Sequence, residues 1–385
     1  MKSEWKTIRA ADFMEFNPRM NLKKGTIATK ISMDKLQPYT KKIPETEQAE
    51  FSGGTKFLNG DTIMARITPC LENGKTAFVD CLNKDEVAFG STEFIVLRAK
   101  PGVSDAQFVY YLATSPEFRQ VAIKSMVGSS GRQRVQQPVL ENLELVVPEL
   151  PEQKRIGGFL AAIDDKIALN AKINDNLEQQ AAALFSSLYN RSNTEVRYTD
   201  LIQILGGGTP KTGETAYWNG NIAFFTPKDV GTPYTFITEK TITEEGLSHC
   251  NSRLYPVNTV FVTARGTVGK VGLSGIPMAM NQSCYALVGK ETHQLLVYFY
   301  TLKAVDRLKH KASGAVFDAI TTRDFDSEQI MKLSDDDAKA FLCVAEPMFQ
   351  EMLNNSIENL RLSTLRDFLL PKLMSGEIDV SSVQL

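Results

Sequence analysis

Arg265, Thr267 and Lys270 share one glycine-containing run, RGTVGK, between two β-type runs. A turn of this kind can present a guanidinium to a base edge and an ammonium to a phosphate. Arg66, Thr68 and Lys75 occupy the matching zone of the first half of the chain. A second donor-rich run, VGSSGRQR at residues 127–134, offers Ser129, Ser130, Arg132, Gln133 and Arg134. Arg and Gln are the side chains suited to bidentate contacts with guanine and adenine. Thr209, Lys211, Lys228 and Arg323 are further donors in the second half. Each set reads equally as a solvated turn or a plain connector, and the sequence leaves both readings standing.

Other chemistry finds little support. The runs at residues 206–210 and 266–270 are Gly-rich, but neither fits GxxxxGK[ST], because Val271 follows Lys270. They read as tight turns, with or without a phosphate contact. His249, His293 and His310 are isolated, with no HxxxH or HExxH spacing. The five cysteines show no CxxC and read as buried free thiols, not as disulfides or a zinc site. Pro151-Glu152-Gln153-Lys154 could suggest a nuclease carboxylate–lysine pair, but it stands at a helix start, where Pro and Glu serve capping. Asn17-Pro18-Arg19 does not match an amino-methylation motif. Tyr217 and Trp218 read as core aromatics. No catalytic residue, metal site or cofactor is expected.

The donors need a scaffold, and its clearest signal is residues 151–189. Ile156, Leu160, Ile163 and Ile167 recur in steps of four and three, and Leu177, Ala181, Leu184 and Leu188 resume the beat. That is a heptad seam. It is polar between the two runs, at Asn170 and Asn174, where such residues can fix register and partner. About 39 helical residues would span roughly 60 Å and cannot bury such a seam alone. Residues 335–373 supply a partner, with Phe341, Val344, Met348 and Met352, then Leu353, Ile357, Leu360, Thr364 and Phe368. Pro347 should kink or split this helix, and Pro371 marks its far end. Phe159, Ile173, Phe185, Leu365 and Leu369 fall off the seam, which favours cover by partner helices.

The chain of 385 residues exceeds one ordinary core, and it repeats itself. Residues 259–263 answer 62–66, residues 284–288 answer 93–97, and residues 292–311 answer 104–124. Ser313-Gly314 answers Ser130-Gly131, Asn359-Leu360 answers Asn176-Leu177, and Phe368 answers Phe185, each at 183 residues. The fold class is therefore α+β: two homologous mixed α/β globules separated by two long antiparallel coiled-coil helices, a pseudo-twofold tandem repeat. The boundaries read 1–149 and 193–333 for the globules, and 150–192 and 334–385 for the helical regions. The net charge of −2 denies the chain a globally basic character. Residues 1–148 nevertheless carry +3 and residues 334–385 carry −5. No apolar run is long enough for a membrane span and no signal peptide is evident, so the expected location is cytoplasmic.

This arrangement resembles the specificity subunit of type I restriction-modification systems. The resemblance covers essentially the whole chain. Leu150-Pro151-Glu152-Gln153-Lys154-Arg155-Ile156, with Leu160 and Ile163-Asp164-Asp165-Lys166-Ile167, is similar to that family's region after each target-recognition domain. Gly207-Gly208-Thr209-Pro210, Tyr217-Trp218, RGTVGK and Asn281-Gln282 resemble its recognition-domain pattern. In the first half Gly60-Asp61-Thr62-Ile63, Pro69 and Asn73-Gly74-Lys75 are similar. Residues 369–378, LLPKLMSGEI, match its usual ending. One departure is Ser334-Asp335-Asp336-Asp337-Ala338, where the second helical region lacks PEQ. The resemblance implies a non-catalytic reader of double-stranded DNA. Each recognition domain would read half of a bipartite, asymmetric target, and the helices would set a fixed spacer. Two adenine-N6 methyltransferase subunits would dock on the helices, and restriction would add motor-nuclease subunits. Two rivals remain: a fused methyltransferase or nuclease with an unrecognised active site, and a specificity-like DNA-binding protein acting outside restriction.

Overall fold

A computed structural model describes residues 5–231, 233–311 and 319–380. The chain forms two compact units. One takes the chain as far as Asn170 and again from Glu358; the other is Ala171–Ile357. Ser313 and Gly314 lie outside the described residues.

In the first unit, Lys6–Arg9 pairs antiparallel with Glu144–Val147. Met14–Phe16, Phe94–Ala99, Thr62–Ala65 and Thr76–Phe78 form an antiparallel sheet in that order. Thr62–Ala65 is buried along its whole length, with Met64 in one core and Ile63 in another. A second, mixed sheet runs Glu47–Glu50, Ile27–Ile31, Ala88–Gly90, Thr55–Phe57. The helical segment is two helices, Ala106–Thr114 and Pro116–Lys124. Asp105 caps the first through the Phe108 amide. Ser115 caps the second, with Pro116 at its first turn.

The second unit repeats the plan with altered strands. Thr194–Arg197 pairs with Gln329–Lys332. A five-stranded sheet runs Ile202–Gly206, Cys284–Gly289, Val260–Thr263, Val271–Ser274, Tyr234–Thr235. A three-stranded sheet holds Lys240–Ile242, Trp218–Phe225 and Met278–Met280. The helix Gln294–Lys311 stands where Ala106–Thr114 begins in the first unit. Strand pairing refines the repeat: Ala65 lies opposite Phe94, and Thr263 lies opposite Cys284. Residues 62–66 therefore correspond to 260–264, one position later than the residue types suggest.

The long helices are Leu150–Arg191 and Asp335–Met374. Each contributes to both units, and within each unit their contacts run antiparallel. In the first, Asp164 meets Arg366 and Asn170 meets Asn359. In the second, Asn174 meets Asn355 and Arg191 meets Asp337. Ile156, Leu160 and Ile163 are buried, while Ile167, Leu177, Leu184, Met348 and Ile357 are half-buried at the seam.

Several expectations need correction. Pro347 does not split the second helix. It removes the bond to the Cys343 carbonyl, and both residues are on the exposed face, where water can serve that carbonyl. Pro371 is also inside the helix. Leu360, Val344 and Phe368 are not seam residues; they are 37%, 44% and 57% exposed. The buried face instead runs through Phe341, Ala345, Phe349, Met352, Asn355, Leu369, Leu370 and Leu373. Phe185 and Phe368 are therefore not equivalents. The helix repeat is 185 residues, matching Asn170 to Asn355 and Asn174 to Asn359. Phe185 and Leu369 need no partner protein to cover them, because each is buried in the core of its own unit. Phe185 stacks on Phe299 and meets Tyr300 and Phe341 edge-on. Phe159 and Leu365 also pack on the first core, which leaves Ile173 exposed. No helix among the described residues is long and apolar enough to cross a membrane.

These two phenylalanines give a direct comparison. Phe185→Ala should cost about 3–5 kcal/mol in urea unfolding, whereas Phe368→Ala should stay within about 0.5 kcal/mol.

Candidate nucleic-acid interface

In the first unit, Thr62–Ala65 and Thr76–Phe78 are joined by a loop that the Ala65 amide closes on the Lys75 carbonyl at 3.0 Å. The donor-rich run forms a second loop, closed by two backbone bonds between Val127 and Arg134 at 3.0 and 2.9 Å. The two loops are tied together. Thr68 donates its amide to the Gln133 carbonyl at 3.0 Å, and Val135 donates to the Arg66 carbonyl at 2.8 Å. Two runs some sixty residues apart in sequence thus form one surface.

Their side chains divide into engaged and free. Arg66 donates to the Val135 carbonyl at 3.3 Å, and its Nε is buried without a partner. Thr68 contacts the Met126 sulfur. Lys75 donates to the Met33 carbonyl at 2.9 Å. Arg134 grips Glu93 through both carboxylate oxygens, at 2.6 Å for the shortest contact. That hydrogen bond holds the Glu93 carboxyl below the usual carboxylate range. Ser129, Ser130, Arg132 and Gln133 have no side-chain hydrogen bond or ion pair among the described residues, and Arg132 is exposed at the loop tip.

The second unit builds the corresponding surface differently. The Thr263 amide closes its loop on the Lys270 carbonyl at 3.0 Å, so Lys270 corresponds to Lys75. The Ile320 amide donates to the Ala264 carbonyl at 2.9 Å, as Val135 does to Arg66. Arg265 therefore corresponds to Ile67, and Arg66 to Ala264. Gly266 and Gly269 take φ of +80° and +74°, and a side chain at position 269 would also run into Lys309. Arg265, Thr267 and Lys270 are exposed, and their side chains are free among the described residues. Thr209 donates to Gln282, beside the loop at residues 206–210. Lys211 is exposed and free. Lys228 pairs with Glu239 at 3.3 Å, both solvated, which adds little stability. Arg323 is exposed and free in the short helix Thr322–Ser327, behind the Thr321–Asp324 capping box.

The remaining reactive types have structural roles. Gln153 is buried, donating to the Pro148 carbonyl at 2.9 Å and accepting the Asp105 amide at 3.0 Å. Glu152 pairs with Arg155. Tyr217 stacks on His249, and Trp218 meets Phe224 edge-on. His293 pairs with Glu346 at 2.7 Å. All five thiols are free. Contrary to expectation only Cys284 is buried, its thiol pushed up to about 12 by burial, while Cys81 and Cys343 are exposed. Among the described residues no group of three or more His, Cys, Asp or Glu side chains could hold a metal ion.

Sequence reasoning missed one cluster. Asp164 accepts from Tyr111 at 2.6 Å and from Arg366 at 2.6 Å, in the core of the first unit. Burial works against the Arg366 charge, but Asp164 outweighs it and raises its pKa. Nothing in the Asp164-Asp165-Lys166 run distinguishes the inward carboxylate from the outward one.

The chain is a tandem of two units, each carrying tied loops with exposed donors and each sharing the two long helices. The chain belongs to the type I restriction modification DNA specificity domain family, whose profile matches residues 2–179 and 190–332. Its function is DNA sequence specificity. It is 25% identical over 402 residues to the type I restriction enzyme HindI specificity subunit of Haemophilus influenzae, covering 83% of this chain and 86% of that protein. It is 38% identical over 104 residues to the Escherichia coli EcoAI specificity subunit, covering 27% of this chain and 18% of that one. The crystal structure of the type I restriction-modification S subunit from M. genitalium shares the fold, with a TM-score of 0.58, 16% identity and 96% of each chain covered.

The free side chains should separate by role. Arg132→Ala and Arg265→Ala should each relax base choice in one part of the target only. Lys270→Ala should weaken binding to all duplexes alike and lower the salt slope by about one. Anisotropy titrations across a salt series measure both; uniform loss for either arginine variant would make that residue a phosphate contact.

Proposed function

We propose that the chain is the non-catalytic DNA-reading subunit of a type I restriction-modification complex in the cytoplasm. Residues 1–149 and 193–333 act as its two target-recognition domains, and residues 150–192 and 334–385 as its helical regions. It reads a bipartite, asymmetric target across a fixed spacer, docks two methyltransferase subunits, and accepts motor-nuclease subunits for restriction.

One observation carries this reading. The loop closed at Lys75 in one unit and at Lys270 in the other has the same backbone frame, yet among the described residues the free side chains differ. The first offers Ser129, Ser130, Arg132 and Gln133; the second offers Arg265, Thr267, Lys270 and Lys211. Equivalent frames with unlike donors suit two unlike half-sites. Arg66, Lys75 and Arg134 are occupied within the protein, so their part in reading DNA is to shape and brace the first loop surface.

Spacer length gives the test. Duplexes carrying the target with one or two base pairs inserted between the half-sites should bind at least tenfold more weakly, since specific binding with both halves engaged falls back toward one. Indifference to spacer length would remove the fixed-spacer reading.

A further inference from the structure

The repeat of 185 residues creates a pairing problem. Asn170 donates to Asn359 at 2.9 Å, and Asn359 donates to the Ile167 carbonyl at 3.2 Å. The same arrangement recurs 185 residues on: Asn355 donates to Asn174 at 3.0 Å, and Asn174 donates to the Met352 carbonyl at 3.2 Å. A seam with this symmetry is self-complementary. The first long helix could pair with its counterpart in a second copy of the chain, Asn170 facing Asn174, and keep these asparagine-to-asparagine and asparagine-to-carbonyl contacts, losing the bonds of Asn170 to Glu358 and of Asn174 to Ser356. The second helix could do the same. The contacts that recur in both units fix register, but they do not choose between these pairings.

Within the buried cores the symmetry breaks at a charged position. In the first unit, Tyr111, Asp164 and Arg366 form the hydrogen-bonded trio described above. The positions related to Asp164 and Arg366 by 185 residues are Phe349 and Ala181, both buried in the second core. Tyr111 is the sixth residue of Ala106–Thr114, and Phe299 is the sixth residue of Gln294–Lys311. Phe299 meets Phe349 with ring centroids at 5.7 Å. One unit thus holds a small acid against a long cation, and the other holds a large ring and a small alanine in one apolar core.

We propose that Asp164 with Arg366, and Phe349 with Ala181, are the code that makes the two long helices of this chain pair with each other and not with their counterparts in a second copy. Pairing two first helices would set Asp164 against Ala181 of the other copy, twice, removing its cation. Pairing two second helices would set Arg366 against Phe349, a buried guanidinium without its carboxylate. Stranding one member of a buried pair is far costlier than losing both, and repulsion of this kind is how related helices select partners.

The test uses full-length chains. Two differently tagged copies are co-expressed, one carrying Asn170→Cys and the other Asn174→Cys. With the accessible native cysteines Cys70, Cys81, Cys250 and Cys343 replaced by Ser in both copies, a disulfide between the tags reports two first helices paired with each other, since neither intramolecular pairing nor exchange of a first helix for a second brings 170 near 174. In the otherwise natural background, cross-linking should match that of a pair with exposed cysteines elsewhere. Adding Tyr111→Phe, Asp164→Phe and Arg366→Ala to both copies gives the first unit the second unit's residues. Cross-linking should then rise about tenfold or more. The exchange Asp164→Arg with Arg366→Asp, which keeps a pair of opposite charge, should hold it at the natural level and guards against loss of folding in the triple variant. Equal cross-linking in the natural and triple-variant backgrounds, or a charge exchange that cross-links like the triple variant, would overturn the proposal.

Discussion

Amide-to-amide hydrogen bonds in the helix seam are the constraint on which the rest depends. Asn170 is fully buried, and its amide reaches Glu358 and Asn359 across the seam. Its Oδ1 has no partner, so this site carries a cost that an apolar pair would avoid. What the amides give in return is a single register, because sliding the helices strands the buried amides of Asn170 and Asn355. Each core is then assembled on that register. Ile156 and Leu160 enter one with Leu369 and Leu373, and Phe185 and Leu188 enter the other with Phe341 and Phe349.

On this foundation the loops are set by backbone bonds, not by the side chains that face outward. The closures at Ala65–Lys75 and Thr263–Lys270, and the ties from Val135 and Ile320, use only main-chain groups. A frame held this way tolerates exchange of its exposed residues. The first unit spends Arg66, Lys75 and Arg134 on internal contacts, whereas among the described residues the second leaves Arg265 and Lys270 free. Such freedom is what a family of DNA readers requires, since the scaffold stays while the bases read can change.

The sequence carried the duplication, the first long helix and both loop surfaces in legible form, because these rest on periodicity and turn chemistry. It misled where the seam turns polar. From Asn355 to Arg366 the buried face carries amides and a guanidinium, so following apolar residues leads to Leu360 and Phe368 on the outside. The spacing of four between Asn170 and Asn174, repeated at Asn355 and Asn359, was the signal that would have corrected it. Pro347 misled for a different reason: its effect depends on whether the freed carbonyl meets water, and only the fold decides that. Which arginines are free was not legible either. Glu93 lies far from Arg134 in sequence, and the Met33 carbonyl that holds Lys75 has no signature at all.

The central claim is that this chain supplies DNA sequence specificity to a methylating complex. Single-molecule sequencing of the adenine methylome, in the same host with and without this chain, tests it most directly. The account predicts that one two-part motif with a constant spacer is methylated in its presence and unmodified in its absence. An adenine methylome that is identical in the two strains would contradict it.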